Sequence, residues 1–198
     1  TSDFALHRRA ELKNNELVLI NAAAGGVGIA ALQLAKISGA RVIAAVGSEQ
    51  KRKLVEKYNP ELVINYQEEN LRETVEAHFG KRPVNIFYDQ VGGQAYDEGV
   101  KLLSSEGRAL IVGFASGNIP SQLLSYLLVK NITIMGVFMI SFEDNDKEYL
   151  KSRIELIFEH YRNKKIEPVF ETIDFENIIE YLDLIGSRKT VGRIVAVK

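Results

Sequence analysis

The run Ala23-Ala24-Gly25-Gly26-Val27-Gly28 has side chains too small to shield the backbone, at a spacing that matches G-x-G-x-x-G with Ala23 standing for the first glycine. It follows the apolar run Leu17-Val18-Leu19-Ile20-Asn21 and precedes a segment with helical spacing. The chemistry that needs such a stretch is the binding of a dinucleotide pyrophosphate. The chain must turn sharply at Ala23, the backbone at Gly25 must come close to the phosphates, and Gly28 lets the helix pack on the sheet. The helix N-terminus then offers N–H groups and a partial positive charge. The plain alternative is a tight turn with no ligand. A second group of residues bears on which dinucleotide. An enzyme selective for NAD places Asp or Glu where the second strand ends, to hold the ribose 2′-hydroxyl. Here that place holds Gly47, followed by Ser48, Lys51 and Arg52, a hydroxyl and two cations that suit a 2′-phosphate. Glu49 is the counterweight if it turns inward, and Lys51 and Arg52 could be no more than the solvated face of a helix.

The elements that must position these residues alternate. Mostly apolar, strand-prone segments at 41–46, 62–64, 84–89, 108–112 and 132–135 read as further strands after the continuous apolar run at 17–20. Between them, 29–38, 49–58, 71–79, 95–103 and 121–129 read as helices. Such alternation predicts βαβ units and an α/β doubly wound parallel sheet (a Rossmann fold) with six core strands in the order 3-2-1-4-5-6. Residues 1–13 suit a short amphipathic helix capped by Thr1, Ser2 or Asp3. The tail adds a long amphipathic helix at 146–163, a short strand at 171–173, a helix at 175–185 capped by Asp174, and a final strand at 192–197.

Composition excludes several classes. Of 198 residues, 46% are apolar and 26% charged, which is globular. A net charge of −1 gives no pull toward nucleic acid or an anionic membrane. There is no Cys, which rules out disulfides, thiol nucleophiles and thiolate zinc sites, and which fits a reducing, cytoplasmic setting. His7, His78 and His160 stand far apart, so no metal site is expected. No apolar run is long enough to span a membrane. The chain starts at Thr1 rather than Met, from which we expect that sequence precedes it.

Taken together, Ala22 to Gly28, Val46-Gly47-Ser48-Glu49-Gln50-Lys51, Ile64-Asn65-Tyr66, Asp89-Gln90-Val91-Gly92-Gly93, Val112-Gly113-Phe114-Ala115-Ser116-Gly117, Lys130-Asn131-Ile132 and the closing Gly192-Arg193-Ile194-Val195 resemble the quinone oxidoreductases related to zeta-crystallin, in the medium-chain dehydrogenase/reductase superfamily. The resemblance covers essentially the whole chain. It implies NADPH as cofactor, with Ala23, Gly25, Gly26, Val27 and Gly28 at the pyrophosphate and Ser48, Lys51 and Tyr66 around the 2′-phosphate. Gly113 and Phe114 would lie beside the nicotinamide ribose, and Phe138 would approach the nicotinamide. For Phe114 and Phe138 the alternative is ordinary packing, and Tyr66 could be a half-buried loop tyrosine. The family carries an N-terminal barrel-like domain, which we expect to be missing from this chain. Residues 1–165 would be the NADP-binding domain, and 166–198 a segment that packs on that absent domain and otherwise exposes apolar surface.

The activity so implied is hydride transfer from NADPH to a quinone or an α,β-unsaturated carbonyl, with no residue here identified as the general acid. Two alternatives stand beside it. A short-chain carbonyl reductase would use Tyr126 and Lys130 as a Tyr-x-x-x-Lys pair, but Gly113 occupies the place of its serine about thirteen residues upstream. The other is a nucleotide-binding module with no catalysis of its own. As to partners, a small-molecule substrate is expected, with neither nucleic acid nor membrane. The run Ile132-Thr133-Ile134-Met135-Gly136-Val137, last in the sheet and without charge or Pro, predicts a homodimer through that edge, unless 140–146 folds over it.

Overall fold

A strand that is apolar at every position is stable only if both its faces are covered, and the central sheet meets that condition. The computed structural model describes residues 1–140, 146–187 and 190–198. Six parallel strands, β1 (Leu17–Ile20), β2 (Arg41–Val46), β3 (Leu62–Asn65), β4 (Val84–Asp89), β5 (Leu103–Ile111) and β6 (Thr133–Gly136), lie in the order β3-β2-β1-β4-β5-β6. Between them run α1 (Gly26–Ile37), α2 (Glu49–Glu56), α3 (Leu71–Phe79), α4 (Gly93–Lys101) and α5 (Leu124–Lys130). Val18, Ile20, Val42, Ala44 and Ile86 face one way, against Leu32 and Ala35 of α1. Leu17, Leu19, Ile43, Ala45 and Phe87 face the other, against Val75 of α3 and Val100 of α4. Ile20 is in register with Ala44 on one side and Tyr88 on the other. The segments that leave β1, β2 and β4 therefore start from one end of the sheet.

Beyond the sheet come α6 (Lys147–Arg162), β7 (Phe170–Asp174), a 3-10 turn (Phe175–Asn177), α7 (Ile178–Gly186) and β8 (Arg193–Val197). β7 and β8 pair in parallel as a separate two-stranded ribbon. Contacts to the main body anchor it. The Gln33 side chain pairs with the Glu167 backbone in both directions, Nε2 to O at 3.0 Å and N to Oε1 at 2.8 Å. Gly192 N–H donates to Ala24 O at 3.0 Å. The ribbon region carries exposed apolar side chains, among them Phe170, Phe175, Ile179, Leu182, Val195 and Val197.

Some boundaries depart from the sequence reading. α1 begins at Gly26 rather than residue 29, so the last glycines lie inside the helix. β5 begins at Leu103, where the sequence suggested a helix, because a bulge takes up the chain between Leu103, paired with Val84, and Arg108, paired with Ile86. Glu106 adopts φ 63° within it. The N-terminal segment is a π-helical turn over Phe4–Arg9, and Asp3 makes no capping bond there. Its carboxylate is instead held by the Arg153 guanidinium of α6 (2.6 and 2.8 Å) and by His7 (2.9 Å). Asp174 precedes the 3-10 turn, also without a side-chain cap.

β6 is an edge strand, as expected, but not wholly unguarded. Val137 N–H bonds inward to Ile111 O at 3.0 Å, so alternation turns the Gly136 peptide groups outward. Arg9 Nε donates to Gly136 O at 3.0 Å, which puts a charged guard on that position. The alternative edge cover at 140–146 falls almost entirely outside the described residues.

Candidate dinucleotide site

Where β1 ends, Asn21 N–H bonds across to Tyr88 O on β4 and Ala23 N–H to Ala45 O on β2, both at 3.0 Å. Between them Ala22 takes φ 49°. The sharp turn thus falls on Ala22, not on Ala23 as the sequence suggested; Ala23 is buried beneath it. Gly25 precedes α1 in an extended conformation with no side-chain cap, so the first-turn N–H groups of α1 meet no capping side chain. A Cβ at Gly28 would sit 2.3 Å from Ala22 O and 2.9 Å from Ala23 Cα, so only glycine fits. Val27 O accepts from Ser2 Oγ at 2.8 Å. Ser2 Oγ also lies 3.2 Å from the hydroxyl of Tyr88, whose pKa burial pushes up to about 12.

At the end of β2 a Cβ on Gly47 would stand 2.5 Å from the Tyr66 hydroxyl. The Tyr66 ring therefore occupies the space that an acidic side chain at position 47 would need. Ser48 caps α2, its Oγ accepting Lys51 N–H at 3.3 Å, which engages the oxygen and not the proton. Arg52 turns away from the phosphate role considered for it and pairs with Glu69 and, at 3.4 Å, with Glu49. The same contact faces Glu49 toward a cation on its own helix.

A cavity of about 250 Å³ opens here, lined by Gly25 and Gly26, Lys51 and Tyr66, Gln90 and Ala115, with Thr190 and Gly192 on its far side. Gly25, Gly26, Lys51 and Tyr66 are thus brought together; Ala23, Val27, Gly28 and Ser48 shape the backbone behind them. Gly113 lies one loop away, where a Cβ would be 3.5 Å from Gln90 O, and Phe114 packs beside Gly92. Neither lines the cavity. Phe138, past β6 and 66% exposed, stands apart from it.

Several cavity residues were assigned no role from sequence, and three of them bear on how the cavity is built. Gln90 and Ala115 come from the loops after β4 and β5, joined by Ala115 N–H to Gln90 O at 3.0 Å. Gly192 is the third. With φ 67° and a Cβ that would meet Val169 O at 2.5 Å, it requires glycine, and a Gly opening the expected strand at 192–197 was the available signal. Beneath the loop after β4 lies Asp89, fully buried. Burial raises its pKa, against the opposing bonds from Asn21 Nδ2 and from the Val91 and Gly92 N–H groups.

A glycine turn at the crossover of a doubly wound sheet, facing a cation at the end of the second strand, defines a Rossmann-type dinucleotide domain. Residues 26–158 match the family described as zinc-binding dehydrogenase, and the chain belongs to that family. It is 32% identical over 197 residues to quinone oxidoreductase-like protein 2 of Bos taurus, covering 98% of this chain and 56% of that protein. It is also 32% identical over 192 residues to acryloyl-coenzyme A reductase of Metallosphaera sedula, covering 95% and 52%. The crystal structure of Escherichia coli quinone oxidoreductase complexed with NADPH superposes with a TM-score of 0.87 at 28% identity, covering 98% of this chain and 61% of that one. The resemblance to quinone oxidoreductases read from the motifs therefore holds. The chain spans about half the length of the curated relatives it matches.

The family description names zinc, but the residues present do not fit that ion. There is no Cys, and among the described residues no three His, Asp or Glu come close enough to hold a metal. Among the described residues, no helix is long and apolar enough to cross a membrane.

Proposed function

We propose that this chain is the nucleotide-binding part of an NADPH-dependent oxidoreductase acting on a quinone or an α,β-unsaturated carbonyl. One observation carries the reading: Lys51 and Tyr66 share a cavity with Gly25 and Gly26, at a strand end where the Tyr66 ring stands over Gly47 and a side chain at position 47 would have to displace it. The α1 N-terminus with Gly25, Gly26 and Val27 would receive the pyrophosphate, Gly28 and Ala23 keeping the backbone close. Lys51, Tyr66 and the Ser48 hydroxyl would hold the 2′-phosphate. The chemistry that NADPH supplies when bound is a hydride. Gly113 and Phe114 would lie toward the reacting end, with Phe138 reaching it from a neighbouring loop. Calorimetric titration should give tighter binding of NADPH than of NADH. Lys51→Ala should weaken NADPH by about 1–3 kcal/mol and leave NADH nearly unchanged. Equal affinities for the two cofactors would sink the reading.

The exposed apolar side of the ribbon supports a second element of the proposal. Residues 166–198 would dock on a further domain of the same enzyme, which would supply the other wall of the acceptor cleft and cover Phe170 and Val195. The isolated chain should then bind NADPH yet turn over simple quinones poorly, since hydride transfer needs acceptor and donor held roughly 3–3.5 Å apart and shielded from water. Steady-state turnover at ordinary enzyme rates would contradict this. A homodimer through β6 belongs to the same reading, as does a cytoplasmic setting. Light scattering tests the dimer, which a clean monomer mass at micromolar concentration would oppose.

A further inference from the structure

The Asp89-Gln90-Val91-Gly92-Gly93 loop is a quoted motif to which the proposed function gives no task. Its Gln90 side chain reaches back across the sheet. Nε2 donates to Asn21 O at 3.0 Å and to Ala22 O at 3.1 Å. The orientation of the carboxamide is not in question, because both neighbours are carbonyl oxygens and only the NH2 end can face them. The two acceptors belong to the residues where β1 becomes the glycine turn, and Ala22 is the one held at φ 49°. An L-residue in the left-handed region is strained and persists only where its surroundings fix it. Ala22 O meets two donors, Gln90 Nε2 and Gly25 N–H at 2.9 Å. The opposite crosslink runs from Asn21 Nδ2 to Asp89 Oδ1 at 3.0 Å. Adjacent residues of β1 and β4 thus exchange side-chain bonds in both directions, just below the cavity.

We propose that Gln90 is a positioning residue for the glycine turn, its carboxamide bolting the strained Ala22 peptide to the end of β4 so that the backbone of Gly25 and Gly26 is preset for a pyrophosphate. The ligand part of this rests on the dinucleotide reading above; the mechanical part does not. Any side chain at position 90 that lacks an N–H donor leaves two carbonyls of the turn without this partner. The effect is confined to the pyrophosphate end. The adenosine end at Ser48, Lys51 and Tyr66 is built on β2 and β3 and makes no bond to Gln90 among the described residues.

The test uses Gln90→Leu and the unbranched Gln90→Met, which fill the same space without a donor. Two measurements are made on each and on the parent chain. In ligand-free protein, amide hydrogen exchange over residues 23–28 should speed up about tenfold in both variants, with β2 and β3 unchanged. By calorimetry, NADPH should bind about tenfold more weakly, while adenosine 2′-monophosphate stays within about twofold. A third variant separates positioning from packing. In Gln90→Glu a carboxylate would face two carbonyl oxygens, and protonation restores one O–H donor. Its NADP⁺ affinity, taken relative to Gln90→Leu at the same pH, should recover as pH is lowered from 8 toward about 5. Unchanged exchange at 23–28, equal weakening of both ligands, or no acid recovery would each overturn the proposal. So would aggregation of both apolar variants, which would make Gln90 a folding residue. If the parent chain binds neither ligand, the dinucleotide reading fails while the exchange comparison still decides the role of Gln90.

Discussion

Strands β1 and β8 are both short and in parallel pairs, β1 all Leu, Val and Ile and β8 Ile, Val and Ala after Arg193, yet β1 buries all four of its side chains while β8 alternates between half-buried and exposed along its whole length. The difference lies in what covers them. β1 has a strand on each side and helices over both faces, whereas among the described residues β8 pairs with no strand but β7, itself exposed at every residue but Ile173. Parallel pairing is stable when both faces are dry, and a two-stranded ribbon in water is marginal. The ribbon keeps its place through Gln33, Tyr58 and Ala24 on the main body, not through a core of its own. Two strands of similar composition thus do different work: one holds the domain together, the other presents a surface.

The sharpest way to break that comparison is to trim one side chain from each. Leu19→Ala should cost about 2–5 kcal/mol in urea unfolding, because it leaves a cavity between covered faces. Val195→Ala, at 41% exposed, should stay within about 0.5 kcal/mol. Equal costs would mean that the ribbon has a dry interior after all. A middling effect is expected where the tail is tied to the body by charge. Arg153, together with His7, holds the Asp3 carboxyl well below the usual carboxylate range even though burial pushes the other way. The ionised form is favoured on folding, so its contribution is complete above about pH 4 and falls away as the pH drops further. Asp3→Asn should destabilise by about 1–3 kcal/mol at pH 7, less than for a fully buried pair because the Arg153 side chain is 23% exposed. The gap from the parent should close in acid, and a gap constant down to pH 2 would refute the assignment. The smallest effect sharpens the contrast. Tyr58→Phe removes the bond from the Tyr58 hydroxyl to Glu167 (2.8 Å) and should cost about 0.5–1.5 kcal/mol. Hydrogen exchange should quicken around Glu167 and leave β1 and β4 untouched.

The central strands could be read from sequence because each carries a short, largely apolar stretch, a property of the stretch alone. The start of β5 could not, since it depends on a bulge set by Glu106 and by the register of β4. The start of α1 was hidden because glycines score poorly as helix formers even where a phosphate-binding turn requires them. At the candidate site, Gly25, Gly26 and Lys51 were legible from spacing. The fit of the Tyr66 ring over Gly47 was not, because it is a contact between neighbouring strands. Arg52, left open between a phosphate contact and a solvated helix face, could not be decided for the converse reason. Its partner Glu69 lies beyond β3, and only the fold reveals that the charge is already engaged.

The bridge between Gly25 and Gly192 joins a turn near the front of the chain to a residue just ahead of β8. Synthesis proceeds at roughly 5–20 residues per second, so Gly25 is made on the order of ten seconds or more before its partner exists. The central sheet can close in that interval, with its long-range pairings complete through β6. The carbonyl of Ala24 meanwhile waits in solvent for the Gly192 N–H. The cavity wall formed by Thr190 and Gly192 is consequently the last part of the site to be laid down. On a nascent chain, competence to hold a nucleotide would mark the arrival of β8 and not the folding of the sheet.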